Sequence, residues 1–359
     1  MTKINFRKES AIVLDQQKLA LEASIITDLN RIFTNIANDA SNIYRLTGTI
    51  NSRELAENYR PELLSQIRDA FRKSIKKFGF TLRKTVEKKY NLIFNAENKI
   101  ELLDVVLKLE NISNNIKIKQ LIEVEDENLD EKIQQINNQF FLESTFFVAN
   151  ESETQNNFVT DTNTTMIQNS IIAGLFAFSQ EQTRRQEEVG VLQSRLFTAD
   201  PKEGVRIARM IDTVNRQINT ANDNRRGIVA DNIKTNLLDK KQGRSGIIAS
   251  QNVGLAEAWA RQTEAELIDG ANLLTVDGEG LVSIKTWQSI LDTKTRTGRF
   301  NHVRPDGQVR AVDDSFDVSN ERLISPRDRT ASIGNTAGCR CIAVYVIVTR
   351  AQAIAMGLI

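Results

Sequence analysis

Residues Leu64–Tyr90 read LSQIRDAFRKSIKKFGFTLRKTVEKKY. Apolar side chains fall at Leu64, Ile67, Phe71, Ile75, Phe78, Leu82, Val86 and Tyr90, always three or four residues apart, which is one face of an α-helix. Gly79 sits inside this stripe and costs about 1 kcal/mol against alanine without ending the helix. Outward from this stretch, residues 9 to 45 and 100 to 122 are also helical by pattern. Near the other end, Cys339–Thr349 reads CRCIAVYVIVT, a β-branched run that predicts a buried strand. Glycine is distributed in the same sense: of 17 glycines only Gly48 and Gly79 precede residue 174, and eleven lie from Gly243 onward. Glycine interrupts helices and makes turns. The expected fold class is therefore α+β, with long amphipathic helices in a mainly α-helical N-terminal half and a C-terminal domain of helix plus small β-sheet.

The chain has 359 residues, enough for two or more folding units. Lys plus Arg number 47 and Asp plus Glu 46, which excludes a polycation held to nucleic acid by bulk charge. No apolar run approaches the ~18–20 residues that span a bilayer, so no membrane role is expected. MTKINFRKES has no apolar signal region, so cytosolic synthesis is expected. Two cysteines exclude a disulfide framework. The single histidine, His302, excludes His-rich metal centres and repeated His relays.

Four regions follow from composition. Residues 1–150 form a helical arm whose Phe140, Phe141, Phe146 and Phe147 dock it onto something. Residues 151–170, rich in Asn, Thr, Ser and Gln, are the expected polar linker. Residues 171–240 form a helical connector: Pro201 in DPKEG leads into a helix with Val205, Ile207, Met210, Ile211, Val214 and Ile218 as its apolar positions, and a break follows at 222–227. Residues 241–359 form the C-terminal domain, with helix over 245–268, a strand at Leu281–Trp287, a tight turn at Pro305-Asp306-Gly307 and a short terminal helix at Arg350–Met356.

Three constellations could carry chemistry. Arg68, Arg72, Lys73, Lys76, Lys77, Arg83, Lys84, Lys88 and Lys89 make a basic ridge opposed only by Asp69 and Glu87. Such a ridge is ordinarily a solvated helix face, but it would also lie on DNA phosphates or an acidic protein surface. On a strand, Cys339 and Cys341 would share one side, where two thiolates and His302 could ligate zinc with Asp292 as fourth ligand. The plainer alternative is two small buried hydrophobes. In the loop Trp287–Phe316, His302 with Asp292, Asp306 and Arg296 could act as a general acid/base set, or could pin a long loop. No nucleophile elbow, phosphate loop, HExxH or dinucleotide fingerprint is present.

The ordered set Trp287, Asp292, Thr295-Arg296, His302, Asp306-Gly307-Gln308, Phe316, Pro326 and Gly338-Cys339-Arg340-Cys341 resembles the phage Mu F-like head morphogenesis family, the minor head (minor capsid) proteins of tailed phages. The match covers about residues 205 to 350 and is sharpest from 287 to 345. Lys294-Thr295-Arg296 stands where the family has Arg-Thr-Arg, and Gly338 where Asn often precedes the Cys-Arg-Cys. The resemblance implies a structural virion component rather than an enzyme, with no cofactor. It would be made in the host cytoplasm and built into the head at the portal vertex, in multiple copies around the portal ring. Portal protein is the implied partner, with the major capsid protein and packaged DNA beside it. Two alternatives stand: a zinc-binding or catalytic module using His302, Cys339 and Cys341, and a DNA-binding accessory head protein using the Arg68–Lys89 ridge.

Overall fold

The computed structural model describes residues 8–79, 129–272, 280–291, 295–336 and 338–359. Among these the helices are α1 (Lys8–Thr47), α2 (Ser52–Asn58), α3 (Arg60–Phe78), α4 (Leu129–Leu196), α5 (Pro201–Asp223), α6 (Arg225–Gly270), α7 (Ile333–Thr336) and α8 (Arg350–Ala355). The strands are β1 (Leu281–Gln288), β2 (Val309–Ala311), β3 (Phe316–Val318), β4 (Glu321–Leu323) and β5 (Ile342–Thr349). The fold is thus mainly helical, with a small antiparallel sheet in its C-terminal part.

Local chemistry sets the helix ends. Gly48, at φ +78°, closes α1 in a left-handed conformation and donates its N–H to the Tyr44 carbonyl. Asn51 caps α2 by accepting from the Glu54 N–H. Asp200 caps α5 by accepting from Lys202 and Glu203, with Pro201 at the first helical position. Thr349 and Gln352 form a reciprocal capping box on α8.

The chain forms two compact units, neither continuous in sequence. One comprises residues 26–66 and 155–246. Its buried side chains include Leu29, Ile32, Phe33 and Ile36 from α1 and Val229, Ile233 and Leu237 from α6. Tyr59 donates to Asp39 at 2.6 Å, Arg45 pairs with Asp231 at 2.5 Å, and Ser245 donates to Asn30 at 2.8 Å. Leu192 of α4 packs with Ile207 and Val214 of α5. Val205 and Met210, expected on that stripe, are exposed, and Ile207, Ile211, Val214 and Ile218 carry it at steps of four and three.

The other unit comprises residues 1–25, 67–154 and 247–359. Its sheet has the order β2-β1-β5, all antiparallel, with Leu281 opposite Thr349, Gln288 opposite Ile342 and Ile284 opposite Ala311. β3 and β4 form a separate hairpin whose two loop residues, Ser319 and Asn320, both have positive φ, as the tight hairpin turn requires. Phe140, Phe141 and Phe147 are buried, while Phe146 is exposed. Phe147 stacks on Trp259 at 4.3 Å and packs against Phe71 at 5.5 Å, so the phenylalanine cluster docks within its own unit.

Several expectations need correction. Residues 151–170 are not a linker but the middle of α4. Val148, Ser152, Asn156, Thr160, Asn163, Ile167 and Ser170 are buried at helical spacing, so the helix has a buried stripe that is largely polar. Threonine hydroxyls at 154, 162, 164 and 165 bond back to the carbonyl four residues earlier and are satisfied without leaving the helix. The helix expected over 245–268 is longer, running as α6 from Arg225 to Gly270 with Gly243 and Gly246 inside it. The α3 stripe begins at Leu63, which is buried where Leu64 is only partly so. Leu82, Val86, Tyr90 and the pattern over 100 to 122 lie outside the described residues. Finally, β5 starts at Ile342, so Cys339-Arg340-Cys341 is irregular backbone leading into the strand rather than part of it.

Candidate functional site

β1 ends in a buried Trp287 whose ring meets Phe316 edge-on at 5.4 Å and His302 edge-on at 5.9 Å. The loop after β1 returns beside the strand, because Trp287 N–H donates to Gln308 and Gly307 N–H donates to Trp287. Gly307, at φ +80°, supplies the left-handed residue of that turn. Asp306 accepts from Ser289 N–H at 2.7 Å, Asn301 accepts from Val303 and Arg304 N–H, and Ser289 Oγ donates to the His302 carbonyl. Arg296 donates through Nη1 to the Gly334 carbonyl and accepts at its own carbonyl from His302 N–H. The loop is therefore pinned from both ends, with His302 at its centre.

His302 is buried. Its Nδ1 lies 3.3 Å from Cys339 Sγ and 3.6 Å from Cys341 Sγ, and its Nε2 lies 3.2 Å from Asn335 Oδ1. All three donor atoms fall within 4.8 Å of one another. Both cysteines are free and buried. β5 begins only at Ile342, yet the expected alternation holds across the irregular residues before it: Cys339 and Cys341 both turn to His302, while Arg340 between them turns to Asp15. The Cys339 thiol is held well below the ordinary thiol range, first by the hydrogen bond from Cys341 and against the effect of burial, with His302 and Arg327 adding to it. Cys341 is pushed well above that range by its bond to Cys339 and by burial. A cavity of about 10 Å³ adjoins the cluster, lined by Ile290, Thr295, Arg296, Gly338 and Arg340. That is close to the space of one water molecule.

The other motif residues support this cluster. Phe316 and Pro326 are buried, and Trp287, Phe316, Cys339 and Cys341 share one apolar core with Leu281, Leu323 and Tyr345. Arg340 does not enter the cluster; its Nη2 reaches Asp15 at 2.6 Å. Asp292 lies outside the described residues. Among the described residues the hydrogen-bond partners of His302 side-chain atoms are Asn335 and the cysteines, and Asp306 is bonded to backbone, as in the loop-pinning alternative.

Of the basic ridge, Arg68 pairs with Glu153 at 3.7 Å, Arg72 with Asp69 at 3.7 Å, and Lys77 donates to the Gln17 carbonyl at 3.2 Å. Lys73 and Lys76 are exposed, while Arg83, Lys84, Lys88 and Lys89 lie outside the described residues.

Buried charges in three places went unread in the sequence. Lys18 Nζ lies 3.4 Å from Glu257, and Arg261 Nη1 lies 3.0 Å from the same carboxylate. Buried Arg327, at φ +64°, donates to the Cys339 carbonyl at 2.6 Å and to Ser250. Glu22 faces it, raised above the ordinary carboxylate range by burial that Arg327 and Lys18 only partly offset. Lys285, fully buried on β1, donates to the Val312 and Ile324 carbonyls at 2.6 and 2.7 Å and to Gln262 at 3.3 Å. One signal was available. Asp15, Lys18 and Glu22 continue, at steps of three and four, the stripe that runs on through Ile25, Leu29, Ile32 and Ile36. No protein-family model, curated protein or solved structure matches this chain.

Proposed function

We propose that this chain is a structural protein of a tailed-phage head, built in at the portal vertex and acting through protein contacts rather than chemistry. The supporting observation is what the motif residues do. Trp287, Phe316, Cys339 and Cys341 pack in one core, Arg296 and His302 hold the adjoining loop, and the neighbouring cavity of about 10 Å³ has no room for an organic substrate. Residues arranged in this way serve a fold. Long helices then supply surface for partners, of which portal protein is the first candidate, with the major capsid protein and packaged DNA beside it. Exposed Phe146, Phe158, Ile172 and Phe176 on α4 are compatible with such contacts.

Quantitative mass spectrometry of purified particles tests this. A fixed low ratio of this chain to portal subunits is the expected result. Its absence from particles that contain portal protein would refute the assignment.

A further inference from the structure

We propose that His302 Nδ1, Cys339 Sγ and Cys341 Sγ form a binding site for one zinc ion, completed by a single water. Three independent observations lead there.

The first is spacing. Zinc bonds sulfur at about 2.3 Å and imidazole nitrogen at about 2.0–2.1 Å, so tetrahedral angles put a bound nitrogen and sulfur about 3.6 Å apart. The Nδ1–Sγ separations are 3.3 and 3.6 Å.

The second is the ring's orientation. Asn335 is fully buried, and its amide NH₂ donates to the Val318 carbonyl at 3.5 Å. Its Oδ1 therefore faces His302 and must accept, which assigns the imidazole proton to Nε2. Nδ1 is then the nitrogen turned to the two sulfurs, and the one a metal would take in place of a proton. A carbonyl-type acceptor on the far nitrogen is the usual outer partner of a metal-bound histidine. Trp287 against the ring edge fixes its plane.

The third is charge and space. Two thiolates and a neutral imidazole cancel the charge of a divalent cation, as a buried site requires. Both sulfurs bind as thiolates and the displaced thiol protons leave to solvent; no oxidation state changes. The adjoining cavity of about 10 Å³ accommodates one water as fourth ligand. Two soft sulfurs with one nitrogen select zinc over magnesium or calcium. The ion would join the segment entering β5 to the 289–308 loop.

Cobalt titration of the reduced full-length chain tests the site. One equivalent of Co²⁺ should give thiolate charge-transfer absorption and the intense visible bands of tetrahedral cobalt, both abolished by one equivalent of Zn²⁺. Cys339→Ser should lose the charge-transfer band. Asn335→Ala keeps all three ligands and should weaken Zn²⁺ affinity 10- to 100-fold at unchanged stoichiometry. If Cys339→Ser does not fold, the wild-type titration and Asn335→Ala decide the matter. A folded, reduced chain that gives no cobalt spectrum overturns the proposal. So does a Cys339–Cys341 disulfide that reforms in the presence of Zn²⁺. The site and the virion role fail separately, since particle composition does not report on the metal.

Discussion

Replacing Lys18 by methionine should destabilise the unit that contains it more than any exposed substitution on α1. Lys18 and Glu257 are 2% and 3% exposed, with Nζ 3.4 Å from the carboxylate. At an effective dielectric constant of 20, two unit charges at that distance attract by about 5 kcal/mol. Desolvation of both ions offsets much of this, so the pair's net contribution is small. Removing one member is different. Methionine preserves the apolar stem but leaves Glu257 buried with Arg261 as its remaining partner, and breaking a buried pair in this way costs about 3–5 kcal/mol. Both tryptophans, Trp259 and Trp287, belong to this same unit, so urea unfolding followed by tryptophan fluorescence reports on it directly. Adding Glu257→Gln removes the stranded charge and should recover part of the loss, giving a coupling of about 0.5–3 kcal/mol in a double-mutant cycle. Acid unfolding supplies a second readout. Burial alone would push Glu257 up, but Lys18 and Arg261 together hold it below its ordinary value of 4.5. A depressed carboxylate contributes stability that is present above 4.5 and is lost as pH falls through the folded value. Lys18→Met should therefore move acid unfolding to higher pH. A loss under about 1 kcal/mol, or single-variant losses that simply add, would refute the buried-pair argument.

Two other substitutions probe the same unit. Burial lowers Lys285 from 10.5 to about 8, against the opposing pull of Glu266, Asp313, Asp314 and Asp328. Between those values the unfolded chain binds a proton that the native chain has released, so stability should rise with pH from about 8 to 10.5. The rise should reach about 3 kcal/mol relative to Lys285→Met, and a pH-independent difference between the two proteins would count against it. Gly254→Ala would normally gain up to about 1 kcal/mol of helix propensity. Here the new methyl would overlap the buried Arg327 guanidinium, already committed to Ser250 and Cys339, and a net loss of about 1–3 kcal/mol is expected in the same urea titration.

Much of the C-terminal region was legible because its signals are local. Leu281–Trp287 and the β-branched run after Cys341 pair as β1 and β5, and the Pro-Asp-Gly turn lies where its chemistry requires. The cysteine–histidine cluster was legible as a set of residue types, and alternation put Cys339 and Cys341 on one side. What it did not reveal is that the backbone there is irregular rather than strand, and that Asn335 holds the far side of His302. Asn335 was invisible, since nothing in an Ile-Gly-Asn-Thr segment marks it as the partner of a histidine 33 residues earlier. Long-range hydrogen bonds leave no periodic trace.

The same limit explains the error over 151–170. Composition was read as a lack of drive to fold, whereas position is what decides. On α4 the small polar side chains occupy the buried stripe, and the large apolar Phe158, Ile172 and Phe176 stand outside it. Hydropathy periodicity assumes that buried means apolar, so a helix with this inversion produces no signal. Small side chains also permit what large ones forbid. At Gly174 an added Cβ would come within 3.2 Å of Ile233 and of the Val229 carbonyl, so this part of α4 and α6 pack nearly backbone to backbone. α1 carries the complementary case. Its stripe is apolar from Ile25 onward and charged at Asp15, Lys18 and Glu22, yet both stretches keep the same spacing of three and four. In both helices the spacing of buried positions, rather than the polarity of the residues that occupy them, carries the information about the fold.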